Sequence, residues 1–203
     1  MKKNRDGTGG PSGCPARRRP QTHAPADGRG PEHRPPMKRV LVIGPNGAGK
    51  TTFARALAAG TRLPLTHLDA LYWRDGWTHV APEDFDARLR PLLDAPAWIL
   101  DGNMSRTLPL RLQYCDTVIW LDYPAPLCLW GTLRRAVQNR GRSLPDRGGF
   151  CPERLDRHFL GTVWHFNRDN RPRFRALLAA APPGVRVVVL KTRAQARAFL
   201  RAE

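Results

Sequence analysis

From residue 37 onward, short apolar runs alternate with stretches whose apolar positions recur every three or four residues. The first pattern predicts buried strands and the second amphipathic helices. Strand 1 is expected at 38–43, followed by a helix at 50–59 that stops at Gly60. Strand 2 follows at 64–68 and ends in His67-Leu68-Asp69. An aromatic-rich loop with Tyr72, Trp73 and Trp77 comes next. Pro82-Glu83-Asp84 opens a helix that runs to 93, since proline and acids suit a first turn. Strand 3 covers 97–100 and ends at Asp101, a short helix covers 106–112, and strand 4 covers 117–121 and ends at Asp122. Pro126 opens a helix to 139. Residues 140–152, rich in Gly, Pro and Arg, read as a mobile loop. Helices at 153–168 and 172–180, a fifth strand at 185–190 and a helix at 194–202 complete the chain. Five buried-looking strands separated by helices imply an α/β fold, a parallel sheet covered on both faces.

The turn after strand 1 carries chemistry. Gly44-Pro45-Asn46-Gly47-Ala48-Gly49-Lys50-Thr51-Thr52 fits G-x-x-x-x-G-K-[ST] between an apolar strand and a helix. Gly44, Gly47 and Gly49 let the backbone curl so that N–H groups along Asn46–Thr52 face phosphate oxygens. The helix start adds the positive end of its dipole. Lys50 suits β- and γ-phosphates, and the Thr51 hydroxyl suits Mg²⁺. The chain has 29 Arg and only 5 Lys. Lysine nonetheless stands at the one place where a compact ammonium is needed. A phosphate loop after strand 1 places the site at the carboxyl ends of the strands, where Asp69, Asp101, Asp122 and Lys191 fall.

Composition narrows the class. The net charge is +17 over 203 residues. Polyanionic partners such as nucleotides, nucleic acid or an acidic membrane surface suit that balance. General enrichment in Arg, Ala and Pro explains it equally well. Cys14, Cys115, Cys128 and Cys151 form no C-x-x-C pair and suggest free thiols in a reducing cytoplasm. No apolar stretch approaches 18 residues, so no membrane span is expected. Residues 1–36 hold seven Pro, six Gly and a charge of +5, with no Val, Ile, Leu or aromatic residue. They are expected to be disordered, leaving 37–203 as the folded domain. Two readings of the segment stand: a basic arm using Arg17-Arg18-Arg19, or an upstream extension of a chain that starts at Met37.

From Met37 on, the chain resembles small P-loop kinases of the adenylate kinase and shikimate kinase type. More narrowly, it is similar to bacterial adenylate kinase-like proteins labelled FlaR-type DNA topology modulation proteins. Four stretches carry the likeness: Gly44–Thr51, Leu65–Trp73, Asp101-Gly102-Asn103 with Ser105-Arg106, and Leu121-Asp122-Tyr123-Pro124. Cys151-Pro152-Glu153-Arg154 adds to it. The resemblance implies the P-loop NTPase fold with sheet order 2-3-1-4-5, ATP as the nucleotide, and an acceptor held over strands 2 and 3.

Phosphoryl transfer needs positioning and charge neutralisation. Thr51 is assigned to Mg²⁺ directly and Asp101 to Mg²⁺ through water. Asp122 competes for that role, and a cap or turn role competes at Asp101. Asp69 is assigned to the acceptor hydroxyl or to orienting the metal's water. Tyr72, Trp73 and Trp77 either stack on an acceptor ring or close the core; His67 reads as a packed or solvated strand end. Arg106 stands one residue later than in the adenylate kinase pattern. Eleven Arg lie in 134–175. Arg134, Arg140 and Arg142 border an expected short Arg-rich lid and are the candidates for the triphosphate. The expected activity is a cytoplasmic, Mg-ATP-dependent kinase acting on a small molecule, with nucleotides among the candidate acceptors. The alternative is an ATP-binding regulator acting on DNA. No helix-turn-helix, zinc-finger or RNA-recognition pattern supports nucleic acid as the partner.

Overall fold

The computed structural model describes residues 36–139, 148–151 and 155–203. Residues 1–35 of the expected tail, and Arg140 and Arg142 of the expected lid, lie outside the described residues.

The elements are β1 (Arg39–Ile43), α1 (Lys50–Thr61), β2 (Leu65–His67), α2 (Leu68–Tyr72), β3 (Trp73–Arg74), β4 (Thr78–His79), α3 (Pro82–Asp94), β5 (Trp98–Asp101), α4 (Leu108–Leu112), β6 (Thr117–Leu121), α5 (Ala125–Gln138), α6 (Arg157–Ala179), β7 (Arg186–Leu190) and α7 (Arg193–Ala202). The main sheet is parallel, in the order β2-β5-β1-β6-β7. Counting only its own five strands, this is the expected 2-3-1-4-5.

Alternation along β1 builds two cores. Leu41 and Ile43 join Phe85, Leu89 and Leu93 of α3, Leu108 and Leu112 of α4, and Phe166, Phe174 and Leu178 of α6. Val40 and Val42 join Phe53, Ala54 and Leu57 of α1, Cys128 of α5 and Ala196 of α7. Both faces of the sheet are therefore covered, as near-continuous apolar strands require.

Three expectations are corrected. Helix α1 runs through Gly60 to Thr61, because Gly60 is exposed and its missing side chain leaves no contact to satisfy. Arg62 closes the helix instead, in the left-handed region at φ 59°, with its N–H donating to Ala58 O at 2.8 Å. The expected helices 153–168 and 172–180 are one 23-residue helix, α6, containing Pro172. Proline removes one helical hydrogen bond. Burial of Phe166 before it and Phe174 and Leu178 after it outweighs that loss. Helix α6 starts at an Asp156 cap whose side chain accepts from Phe159 N–H at 2.7 Å. Finally, the aromatic loop contains α2 and a small antiparallel hairpin, β3–β4. The part of the expected mobile loop that is described, 148–151, lies against this hairpin. Phe150 N–H donates to Asp75 Oδ1 at 2.6 Å and Gly76 N–H to Phe150 O at 3.1 Å.

Cys115, Cys128 and Cys151 are buried thiols in no disulfide. Burial pushes the Cys115 thiol up to about 12 and the Cys128 thiol up to about 11, with Lys50 pulling Cys128 the other way. Unfolded thiols ionise near 9, so the unfolded state gains first as pH rises. The stability these thiols contribute is complete below about pH 9 and is lost toward pH 11–12. Iodoacetamide at about pH 8.5 is expected to label Cys115 and Cys128 only in the denatured chain, as peptide mass mapping will show. The urea midpoint should fall between about pH 8 and pH 10. No helix among the described residues is long and apolar enough to cross a membrane.

Candidate functional site

The phosphate loop leaves β1 at Gly44 and enters α1 at Gly49. Gly47 and Gly49 hold φ 79° and 86°, a region that favours glycine. Gly49 is the cap residue of α1 and offers no side chain to its first turn. The N–H groups of Lys50, Thr51 and Thr52 therefore have no acceptor within the helix. The first helical bond runs from Phe53 N–H to Gly49 O at 2.9 Å. Ala48 N–H turns back to Pro45 O at 3.3 Å, and half-buried Asn46 forms the crest. Lys50 Nζ donates to Pro45 O at 3.1 Å, folding the side chain over the loop. Its pKa is lowered, chiefly by burial and further by the nearby Arg135 charge, while Asp101 and Asp69 oppose the shift.

Asp101 closes β5 between two partners. It is in register with Val42 of β1 and with His67 of β2. Its side chain is 5% exposed. Oδ2 accepts from the Thr51 hydroxyl at 2.8 Å and pairs with His67 Nδ1 at 2.9 Å. Oδ1 is buried with no hydrogen-bond partner. The carboxylate therefore faces the start of α1 with one oxygen unspent. His67, expected to be a simple strand end, is part of this cluster. Since a carboxylate only accepts, the proton of the pair sits on His67 Nδ1.

The other carboxylates differ. Asp69 does not end strand 2. That strand stops at His67, and Asp69 is an exposed residue in the first turn of α2. It still lies near enough to Lys50 to favour the ammonium. Asp122 is 6% exposed and accepts from Arg171 Nε and Nη2, each at 2.9 Å. Four residues earlier on α6, Asn167 Nδ2 donates to Tyr123 O at 2.7 Å. Asp122 thus anchors α6 to the end of β6. Among the described residues no group of three or more His, Cys, Asp or Glu is arranged to hold a metal ion.

Comparison with known proteins bears on the fold. A family model described as "ATPase family associated with various cellular activities (AAA)" matches residues 40–97, which covers β1, the phosphate loop and the chain through α3. The shikimate kinase of Acinetobacter baumannii, solved with shikimate, superposes with a TM-score of 0.54 at 19% identity, covering 81% of this chain and 89% of that one. The shikimate kinase of Bacteroides thetaiotaomicron gives 0.50 at 14% identity, covering 82% and 95%. No curated protein sequence matches the chain. The chain shares the α/β fold of these two proteins, a five-stranded parallel sheet with a phosphate loop after its first strand.

The arginines of α5 divide. Arg134 is exposed on α5. Its neighbour Arg135, one step of about 100° around the helix, is half-buried and acts on Lys50. Arg106 is also engaged elsewhere: Nη1 and Nη2 donate to Asp86 at 2.9 and 2.6 Å, and Nη2 to Pro82 O at 3.3 Å. That fork fastens the loop after β5 to α3. The aromatic residues pack on one another. Tyr72 stacks on His79 at 5.2 Å and meets Phe85 edge-on at 5.8 Å, while Trp73 meets Trp77 edge-on at 5.3 Å. Tyr72 also packs against the core, while Trp73 and Trp77 are half-buried.

Three contributors received no role from the motifs, although Asn103 stands within one of them. Asn103 hydrogen-bonds both backbone groups of Gly44. Arg111 is fully buried behind the loop after Asp101. Gly131 of α5 lies against Gly47 of the phosphate loop. Each left a trace: an amide two residues past a strand-end carboxylate, a charge at an apolar helix position between Leu108 and Leu112, and a lone glycine within a helix.

Proposed function

We propose that the protein is a cytoplasmic phosphotransferase that moves the γ-phosphoryl group of Mg-ATP to a small-molecule acceptor. One observation carries the reading. The phosphate loop ends in Lys50-Thr51, and the Thr51 hydroxyl meets a buried Asp101 whose second oxygen is unspent. A hydroxyl and a carboxylate are the hard oxygen donors that suit Mg²⁺, which keeps waters and takes phosphate oxygens for its remaining positions. Thr51 and Asp101 would hold that ion, which when bound neutralises charge on the β- and γ-phosphates.

The chain's own groups do the rest. Backbone N–H groups from Asn46 to Thr52 bind the β- and γ-phosphates, and Lys50 spreads its charge over the transferring group. Arg135 takes the cationic role on the α5 side. Asp69, at the acceptor side of Lys50, accepts the proton of the attacking hydroxyl. As the new oxygen–phosphorus bond forms, the bridge between the β- and γ-phosphates breaks and ADP leaves. His67 orients Asp101 from β2. The acceptor is sought among hydroxyl-bearing small molecules, including shikimate and nucleoside monophosphates.

The test is ADP release by the full chain with Mg-ATP and a panel of such acceptors, beside a duplex DNA arm. Stimulation by one small molecule supports the kinase reading. Stimulation by DNA alone at physiological salt replaces it with a DNA-directed regulator. Two variants separate the carboxylates. Asp101→Asn should lower acceptor-stimulated turnover about 100-fold and weaken its dependence on Mg²⁺. Asp122→Asn should keep the Mg²⁺ dependence and instead lower the melting temperature by about 5 °C, because the Arg171 charge loses its counter-ion. A reversed pattern would reassign the metal to Asp122.

A further inference from the structure

Hydrogen bonding between β1 and β5 does not stop where the strands stop. Val42 is in register with Asp101, and one step later Gly102 N–H donates to Val42 O at 3.1 Å. The next step is made by a side chain. Asn103 Nδ2 donates to Gly44 O at 2.8 Å, and Gly44 N–H donates to Asn103 Oδ1 at 3.0 Å. A primary carboxamide offers one donor and one acceptor side by side, as a neighbouring strand would. Turned over, it would set N–H against N–H and oxygen against oxygen, so the two Gly44 groups fix its orientation. Gly44 is confined from the opposite side as well. A Cβ there would lie 2.6 Å from Leu121 O at the end of β6.

Asn103 is itself held. Arg111 is fully buried, and Nη1 donates to Gly102 O at 3.1 Å. Nη2 donates to Asn103 O and, at 3.1 Å, to Met104 O. Three successive carbonyls thus converge on one guanidinium, and among the described residues no carboxylate faces it. The loop pays for this curl in backbone conformation, with Gly102 at φ 138° and Met104 at φ 29°. A lysine has the charge but lacks the planar fork that can reach three carbonyls.

We infer that Asn103 is a positioning residue of the nucleotide site: its carboxamide sets the peptide planes on both sides of Gly44, and so the entry of the phosphate loop, while Arg111 fixes the loop that presents it. The inference rests on the reading of Gly44–Thr51 as a nucleotide phosphate cradle. It assigns Asp101-Gly102-Asn103 a double task. Asp101 addresses the Thr51 end of the cradle, and Asn103 addresses the Gly44 end. The β5 loop thereby grips the cradle at both of its ends.

The test uses the full chain with Asn103→Ala, Asn103→Asp, Arg111→Lys and the Asn103→Ala/Arg111→Lys pair. ATP affinity is measured by calorimetry, apart from turnover, and thermal unfolding is followed in parallel. Asn103→Ala should raise the ATP Kd about 10-fold. Asn103→Asp should raise it further, since it keeps the acceptor for Gly44 N–H but turns a charged oxygen on Gly44 O. Both should shift the melting temperature by less than about 5 °C. Arg111→Lys should raise the Kd alone and add little once Asn103 is gone, because the two act through one contact. Asn103→Ala with an ATP Kd within about twofold of the parent and a lowered melting temperature would reduce the pair to an ordinary structural bond. A parent chain that binds no ATP overturns the nucleotide reading together with this one. A parent that binds ATP beside an unaffected Asn103→Ala overturns this inference alone.

Discussion

Lys50→Ala is expected to lower Mg-ATP-dependent ADP release by at least about 100-fold, the scale of removing a preorganised charge from a transferring group. The same variant should unfold at the parent temperature or slightly above it. The reason lies in the environment of the ammonium. Among the described residues its one hydrogen bond goes to Pro45 O, and burial lowers its pKa. The folded chain therefore holds this charge at a cost that Asp101 and Asp69 only partly offset. Removing it relieves the desolvation while removing the group that meets the phosphates. A stable variant that has lost turnover would mark Lys50 as a residue kept for function at the expense of stability. Retained turnover would end the phosphate-loop assignment. A collapsed variant would show that Lys50 carries structural weight that its contacts do not reveal. The measurement is paired: coupled ADP release and a thermal melt on the same preparation.

The second large effect is expected from one methyl group. In Gly131→Ala the new Cβ would lie 2.1 Å from Gly47 O and 3.1 Å from Gly47 C. The neighbour is backbone and cannot swing aside. From the other side, a Cβ on Gly47 would lie 1.9 Å from Cys128 O and 2.4 Å from the Thr132 hydroxyl. Helix α5 and the phosphate loop thus touch glycine to glycine, and a methyl between them must part them by about 1 Å. A displacement of that size at a phosphate cradle costs about 100-fold in kcat/KM. Stability should fall less than activity. Overpacking costs about 1–3 kcal/mol, and alanine's helix propensity returns about 1 kcal/mol. Gly60→Ala is the control. Its Cβ would meet nothing within 4 Å, on an exposed turn of α1. It should gain about 1 kcal/mol and leave turnover unchanged. Equal kcat/KM in Gly131→Ala and the parent would show that the loop does not depend on α5 for its position.

Much of the fold was legible because its signals are local. Apolar runs at Val40–Ile43, Trp98–Leu100 and Thr117–Leu121 marked three central strands of the sheet, since a strand buried on both faces is apolar without alternation. The phosphate loop was legible for the same reason: its chemistry lies in consecutive residues. Boundaries slipped where long-range packing overrode a local signal. Pro172 read as a break between two helices, yet Phe166, Phe174 and Leu178 all bury in one core and carry α6 through it. Gly60 read as a stop, but nothing around an exposed helix end required one.

The site divides along the same line. Sequence alone determined the loop Gly44–Thr52, the identity of Lys50 and Thr51, and the presence of carboxylates at strand ends, because strand, turn and helix are contiguous there. It left Asp101 and Asp122 as rivals, since both follow an apolar run. Only the tertiary structure shows that their partners differ. Parallel pairing sets Asp101 beside Thr51 and His67, whereas α6, arriving from about fifty residues later, sets Arg171 on Asp122. That Arg135 rather than Arg134 acts on Lys50 likewise follows from how α5 packs against the loop, where Gly131 lies against Gly47. The physical reason is one of range. Backbone preference and hydrophobic period act between near neighbours in the chain. Which side chain faces which charge is decided by packing between elements that the chain brings together only on folding.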